Sequence, residues 1–178
     1  MKRLLFVGLM LVSAAGIAQT RVRGVVESFD GKTLVVKDAG AIQVGEKTEI
    51  VFAQPIQLSD IKPGDFLGVT SRKGPGGSLT AYEVRRFPKP LNPGHRPFDG
   101  GENQTMTNAT VGTVSQSAEG RVLSLGYEGG SQKILVPENA SISTLVPGTP
   151  KQLVPGAGVN LTHDAARTAL RIQVSSPR

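Results

Sequence analysis

The chain has 178 residues, of which 38% are hydrophobic, and its formal net charge is +6. It contains no cysteine, which excludes disulfides, thiolate metal sites and cysteine nucleophiles together. The core must therefore form by apolar packing alone, and the basic balance favours anionic partners.

The first 18 residues have the format of a secretory signal peptide. Lys2 and Arg3 precede an apolar run at 4–12, and small residues then lead to Ala18. The apolar run is far shorter than the roughly 20 residues that cross a bilayer. We therefore expect cleavage after Ala18, a periplasmic or secreted product, and no membrane span in that product. Cleavage lowers the basic residues from 20 to 18 against 14 acidic ones, which leaves a net charge of +4.

Residues 19–87 have the pattern of a first β unit with five short strand candidates. Asp30-Gly31-Lys32 separates two β-rich runs, as a hairpin turn does. Pro63-Gly64 predicts a type II turn, in which proline presets the first position and glycine supplies the positive φ of the second. A glycine-rich loop at 73–77 leads to a last strand at 79–87, and no stripe of helical periodicity interrupts the unit.

Residues 111–178 repeat this plan as a second unit. Pro155-Gly156 follows Pro63-Gly64 by 92 positions, and the middle strands keep the same spacing. The first strands match at a spacing of 89, which places Val22 over Val111, and the closing strands match at 88. Three collinear blocks with a shared turn favour duplication over a chance similarity of valine-rich strands.

These features predict an all-β protein of two tandem five-stranded OB-like small barrels, joined by a Pro/Gly-rich linker at 88–110. Each copy is expected to close around its own apolar interior, and the two small units are expected to pack together. A small sandwich is the alternative, because periodicity does not determine strand order.

The linker begins with closely spaced prolines, which stiffen a connector. It also contains Phe98, an aromatic residue that a purely flexible linker does not need. Docking of Phe98 on a barrel is the expectation, and an exposed phenylalanine is the other interpretation.

Few side chains are suited to catalysis or metal binding. His163 stands beside Asp164, which is not the arrangement of a serine hydrolase, and the chain has no Gly-x-Ser-x-Gly elbow. We therefore expect no enzymatic activity and no cofactor. The alternative function is a periplasmic metal-handling accessory that uses His95, Met106 and His163 with nearby carboxylates, and it requires the second unit to fold back onto the linker.

Five basic residues cluster where the first unit ends: Arg72, Lys73, Arg85, Arg86 and Lys89. OB barrels bind single-stranded nucleic acid through a basic groove with aromatic platforms, but an exported protein meets little nucleic acid. The expected partner is therefore an unknown protein or an anionic envelope component. A solvated basic edge strand that blocks aggregation is the other interpretation.

Several of these segments together resemble a family of exported bacterial proteins of unknown function. They are Val-x-Gly-x-Val-x-x-x-Asp-Gly-x-x-Leu at 22–34, the segment 58–69, and the linker motifs 94–99 and 105–111. The resemblance implies an envelope location, a tandem small β-barrel fold and ordered linker motifs, with no activity attached. Where family members often carry tryptophan, this chain has Phe98.

Some members of that family are labelled "metal ABC transporter permease". A permease needs several membrane spans, and the mature chain offers none, so the label is not carried over.

The leading hypothesis is a non-enzymatic exported protein that serves as a binding or interaction module. A protein or an envelope component would bind across a cleft lined by the linker. The candidate binding residues are His95, Arg96, Phe98, Asp99, Thr105, Met106 and Asn108.

Overall fold

The computed structural model describes residues 19–98 and 101–177. The predicted signal peptide and Asp99 lie outside these residues. Within them the fold is all-β, as predicted, with three short 3-10 turns at Leu58–Asp60, Pro75–Gly77 and Pro150–Gln152. No helix in this part of the chain has the length and apolar character needed to cross a membrane.

The described part of the chain contains thirteen strands. In chain order they are β1 (Thr20–Phe29), β2 (Thr33–Val36), β3 (Gly40–Gln43), β4 (Glu49–Pro55), β5 (Phe66–Lys73), β6 (Leu79–Phe87), β7 (Gly94–Pro97), β8 (Gln104–Ser117), β9 (Gly120–Tyr127), β10 (Gly130–Val136), β11 (Ser141–Pro147), β12 (Ala157–His163) and β13 (Ala169–Pro177).

The β1–β2 hairpin confirms the turn predicted at Asp30-Gly31-Lys32. The Asp30 carboxylate accepts hydrogen bonds from the backbone N–H groups of Lys32 at 2.8 Å and Thr33 at 2.7 Å. The bonds from Thr33 and Lys32 hold the pKa of Asp30 below its ordinary value. The short Asp30 side chain thus stabilises the turn by accepting hydrogen bonds from its backbone.

Five strands close into a barrel that we name lobe II. Its order is β8-β9-β10-β6-β5 and back to β8, with neighbours antiparallel except at the parallel contact of Leu135 with Thr80. Such a five-stranded barrel is the predicted architecture rather than the alternative sandwich. Its buried core consists of Ile61, Leu67, Val69, Leu79, Ala81, Val84, Ala109, Val111, Leu123, Leu125, Ile134 and Val136.

Five other strands form lobe I with the same ring order. The order is β1-β2-β3-β13-β12 and back to β1. Between β3 and β13 the contact is an isolated parallel bridge from Gln43 to Thr168, the residue before β13. Its core consists of Val26, Leu34, Val36, Ile42, Leu153, Ala157, Val159, Leu161, Ala169, Ile172 and Val174.

Each lobe is built from both halves of the chain. Lobe I combines β1–β3 of the first half with β12–β13 of the second, and lobe II combines β8–β10 of the second half with β5–β6 of the first. The prediction that units 19–87 and 111–178 each close around their own interior is therefore wrong, because the strand pairing does not have that arrangement. The sequence pattern does not distinguish the two arrangements, because β5 and β12 both follow a Pro-Gly turn and both place an apolar pair, Leu67/Val69 and Val159/Leu161, in a core.

The two lobes join through β4 and β11, which pair antiparallel with Ala53 directly opposite Leu145. Neither strand pairs within its own half, since β4 also pairs with β13 and β11 also pairs with β6, both in parallel. The contact of Glu49 with Arg171 corresponds to that of Ser141 with Glu83. The junction therefore has an approximate two-fold axis through the Ala53–Leu145 pair.

The predicted Pro-Gly turns are present, and each reaches across to the other half. Gly64 has φ +92° and Gly156 has φ +85°. Gly64 donates its N–H to the carbonyl of Val111, and Gly156 donates to that of Val26, both at 2.9 Å. Each turn is thus bonded to a first strand contributed by the opposite half.

The same bonds correct the predicted alignment of the first strands. Val26, not Val22, occupies the place of Val111, because each of these residues accepts the turn bond and immediately precedes an irregularity in pairing. The alternating valines of a strand look alike in any even register, which explains the four-residue error. Common ancestry of the halves stays a prediction.

Alanine at Gly64 or Gly156 should destabilise the protein by about 1–3 kcal/mol each, because alanine is strained at such a positive φ. Gly45→Ala is the matched control, since Gly45 lacks a positive φ and an added Cβ there has no atom within 4 Å. Urea denaturation measures all three variants. Equal losses at Gly45 and Gly64 would contradict the role given to the turn.

Candidate functional site

The predicted linker contains β7 and the first seven residues of β8. β7 pairs with Thr105 to Asn108 of β8, and the same stretch of β8 pairs on its other side with β5. Residues 104–110, expected to be linker, therefore belong to a strand of lobe II. The candidate residues of this segment are held by two ladders of backbone hydrogen bonds rather than by a flexible loop.

Asn108 attaches the proline-rich stretch to lobe II. Its buried Nδ2 donates to the carbonyl of Leu91 at 2.9 Å and to that of Asn92 at 3.1 Å. Its Oδ1 has no hydrogen-bond partner among the described residues. This side chain therefore fixes the turn by which the chain passes from β6 into β7.

His95 lies on β7 beside a buried cluster of hydroxyls. Its Nδ1 is 2.8 Å from Oγ1 of Thr107, which is fully buried. Ser71 and Thr105 face each other across β5 and β8, and in the described structure their buried hydroxyls have no partner. Burial lowers the pKa of His95 below its ordinary value of 6.5, and the Lys73 charge acts in the same direction.

Arg96 and Met106 form a neighbouring pair between β7 and β8. Because successive residues of a strand alternate, their side chains lie on the face opposite His95 and Thr107. Met106 Sδ is 4.0 Å from Oγ1 of Thr70, and the exposed Arg96 donates from Nη1 to the carbonyl of Asn92 at 3.2 Å.

The residues of the metal-handling alternative are not brought together. His95 and Met106 lie on opposite faces of the ribbon, as described above. His163 belongs to lobe I, where its Nδ1 is 2.6 Å from the carbonyl of Asp164. Across residues 19–98 and 101–177, no three His, Asp or Glu side chains converge as a metal site requires.

Phe98 does dock, and its contact is with the other lobe. The guanidinium carbon of Arg23, on β1 of lobe I, lies 4.9 Å from the centre of the Phe98 ring. The Phe98 N–H donates to the carbonyl of Gln104 at 3.0 Å, which continues the β7–β8 ladder. The Phe98 ring, which follows β7 of lobe II, thus makes a cation–π contact with Arg23 of lobe I.

A second arginine lies over a second aromatic ring nearby. The guanidinium carbon of Arg72 is 5.7 Å from the centre of the Tyr82 ring, and the Tyr82 hydroxyl donates to Oε1 of Gln104 at 2.7 Å. Burial raises the pKa of Tyr82 and the Glu83 charge adds to this, while the charges of Arg23 and Arg72 oppose it. Arg23 and Arg72 therefore both lie close enough to Tyr82 for their charges to affect the pKa of its hydroxyl.

We name this group the Arg–aromatic surface: Arg23, Arg72, Tyr82, Phe98 and Gln104. Both arginines are exposed, and the three ion pairs found within the described residues involve neither of them. Arg23 and Gln104 could not be identified from the sequence, because they lie on distant strands, β1 and β8, that come together only through pairing between the two halves of the chain. On β1, Arg23 is exposed between the partly buried Val22 and Gly24, so the strand pattern marks it only as an outward-facing residue.

The five predicted basic residues do not form one patch. Arg72 and Lys73 are exposed at the end of β5. Arg85 pairs with Glu83, and Arg86 lies 3.7 Å from Asp65 and donates to the carbonyl of Asp60 at 3.2 Å. Lys89 instead lines a groove of ≈ 640 Å³ beside the β4–β11 junction.

No protein-family model, no curated protein and no solved structure matches this chain. The family resemblance seen in the sequence therefore stays a prediction.

Lowering the pH should destabilise the folded protein through His95. Because the folded pKa lies below 6.5, the unfolded chain takes up this proton first, so stability falls as the pH drops below about 6.5 and levels off under the folded pKa. The unfolding free energies of the wild type and His95→Gln, measured by urea denaturation across this range, give the effect as a difference. A difference that does not change with pH would contradict the burial of His95.

Proposed function

We propose that this protein is a non-enzymatic exported protein that binds an anionic component of the bacterial envelope through the Arg–aromatic surface. The observation that carries the proposal is the pair of exposed arginines, Arg23 and Arg72, each placed over an aromatic ring. The signal-peptide format and the family resemblance of the sequence support the export and the envelope location in this proposal.

Arginine over a ring is well prepared to bind an anion. The planar guanidinium presents several N–H donors in a fixed fork that matches phosphate or carboxylate groups. The ring supports the stem and the cation, so less rotamer entropy is lost when the anion arrives. Phe98 and Tyr82 serve Arg23 and Arg72 in this way, and Gln104 holds Tyr82 through its hydroxyl.

Charge supports the same role. The mature chain carries 18 basic against 14 acidic residues, and Lys73 adds a third exposed cation next to Arg72. A positively charged surface raises the rate at which anions approach and retains them at low salt. Binding to an anionic surface should therefore weaken as salt is added.

A non-catalytic role is supported by the burial of the hydroxyls closest to His95. Ser71 and Thr107 have no exposed surface, and Thr105 has 9%. A substrate could not approach these oxygens without opening the β5–β8 ladder. The cluster is better suited to positioning β7 than to attacking a bound molecule.

Vesicle binding tests the proposal. The wild type should cosediment with vesicles of phosphatidylglycerol and phosphatidylcholine and not with phosphatidylcholine alone. The double variant Arg23→Gln, Arg72→Gln should bind about ten- to thirty-fold more weakly, since each cation near an anionic surface contributes about 1 kcal/mol.

The matched control is Lys47→Gln, Lys133→Gln, which removes the same charge from exposed positions elsewhere. It should bind nearly as well as the wild type. An equal loss in the control would mean that only net charge matters, and no binding by the wild type would refute an anionic membrane surface as the partner.

A further inference from the structure

The two halves of the chain are joined covalently only by residues 88–93, which lie between the end of β6 at Phe87 and the start of β7 at Gly94. We name this stretch the connecting segment. On either side of it stand strands that need the opposite half to complete their sheets.

The non-covalent contacts between the halves are extensive. Six ladders cross from one half to the other: β1–β12, β5–β8, β4–β11, β4–β13, β6–β11 and β6–β10. Within the first half, no ladder joins β1–β3 to β5–β6. A first half therefore needs a second half, and nothing in the ladders requires that second half to belong to the same chain.

We propose that two copies of this chain exchange halves and form a dimer, in which residues 20–87 of each copy pair with residues 94–177 of the other. All six ladders and both cores are retained in such a dimer, and only the path of the connecting segment differs. This is the condition under which domain swapping costs least. The proposal does not depend on the anionic partner proposed above.

The connecting segment decides between the closed monomer and the exchanged dimer. Pro88, Pro90 and Pro93 restrict its backbone, so a tight return path is harder to form than an extended one. In the monomer Asn108 holds that return path through the carbonyls of Leu91 and Asn92. Loss of these two bonds should favour exchange, because the exchanged chain does not need the turn.

Cysteine pairs across the halves distinguish the two forms, since the natural chain has no cysteine. Ala53 and Leu145 are opposed in register, and the bonds from Gly148 to Ile50 and from Ile56 to Ile142 place them at a non-hydrogen-bonded position. Side chains at such positions are close enough for a disulfide. The disulfide of Ala53→Cys, Leu145→Cys lies within one chain in the monomer and between chains in the exchanged dimer.

The experiment refolds this variant from denaturant at increasing protein concentration, oxidises it, and separates the products on a non-reducing gel. The covalent dimer should increase with concentration and rise several-fold further when Asn108→Asp is added. A second pair, Arg21→Cys with Thr162→Cys, should give the same result if the first variant folds poorly.

The control pair is Ser124→Cys, Lys133→Cys, which are opposed within the second half. Its disulfide stays within one chain in either form, so it should give no covalent dimer. Monomers at every concentration would overturn the proposal, as would dimers whose cross-half disulfides remain within single chains. Equal covalent dimer from the control pair would show random oxidation and would also overturn it.

Discussion

The antiparallel ladder between β4 and β11 is the constraint on which the rest of the structure depends. These strands are bonded only to the opposite half, and they meet with Ala53 facing Leu145. β13 pairs with the outer side of β4, and β6 pairs with the outer side of β11. The hairpin β12–β13 therefore lies in lobe I with β1–β3, and the hairpin β5–β6 lies in lobe II with β8–β10. Each core therefore contains strands of both halves, and each Pro-Gly turn bonds to the opposite half, Gly64 to Val111 and Gly156 to Val26.

This arrangement also creates the Arg–aromatic surface. Arg23 comes from lobe I, while Phe98 follows β7 and Tyr82 lies on β6 of lobe II. Two independent barrels on a flexible linker would leave their relative placement open. The shared junction instead joins the lobes through one continuous sheet, so residues from both lobes can form one surface. The β7–β8 ribbon contributes in the same way, because His95 bonds to Thr107 across it and Asn108 holds the chain that leads into β7.

Much of the local structure could be predicted from the sequence, and the long-range pairing could not. The Asp30 hairpin, the turns at Gly64 and Gly156, and the all-β class follow from turn chemistry and period-two patterns that act over a few residues. Turn chemistry does not determine whether β5 or β12 pairs with β1, because both strands follow a Pro-Gly turn and both place an apolar pair in a core. The site suffered from the same ambiguity: Phe98 was identified from its context, whereas Arg23 could not be assigned to it before the exchange of strands was known.

Cleavage of the connecting segment is the most direct test of whether each lobe is built from strands of both halves of the chain. A protease site introduced at residues 88–93 would allow the folded protein to be cut, and the two fragments should remain together and melt in one transition. After separation in denaturant, neither fragment should refold alone as a monomer, and mixing them should restore the β-sheet circular dichroism and the cooperative melt. A cooperative transition in either isolated monomeric fragment would show that each half closes around its own interior. It would contradict a fold in which each lobe combines strands of both halves.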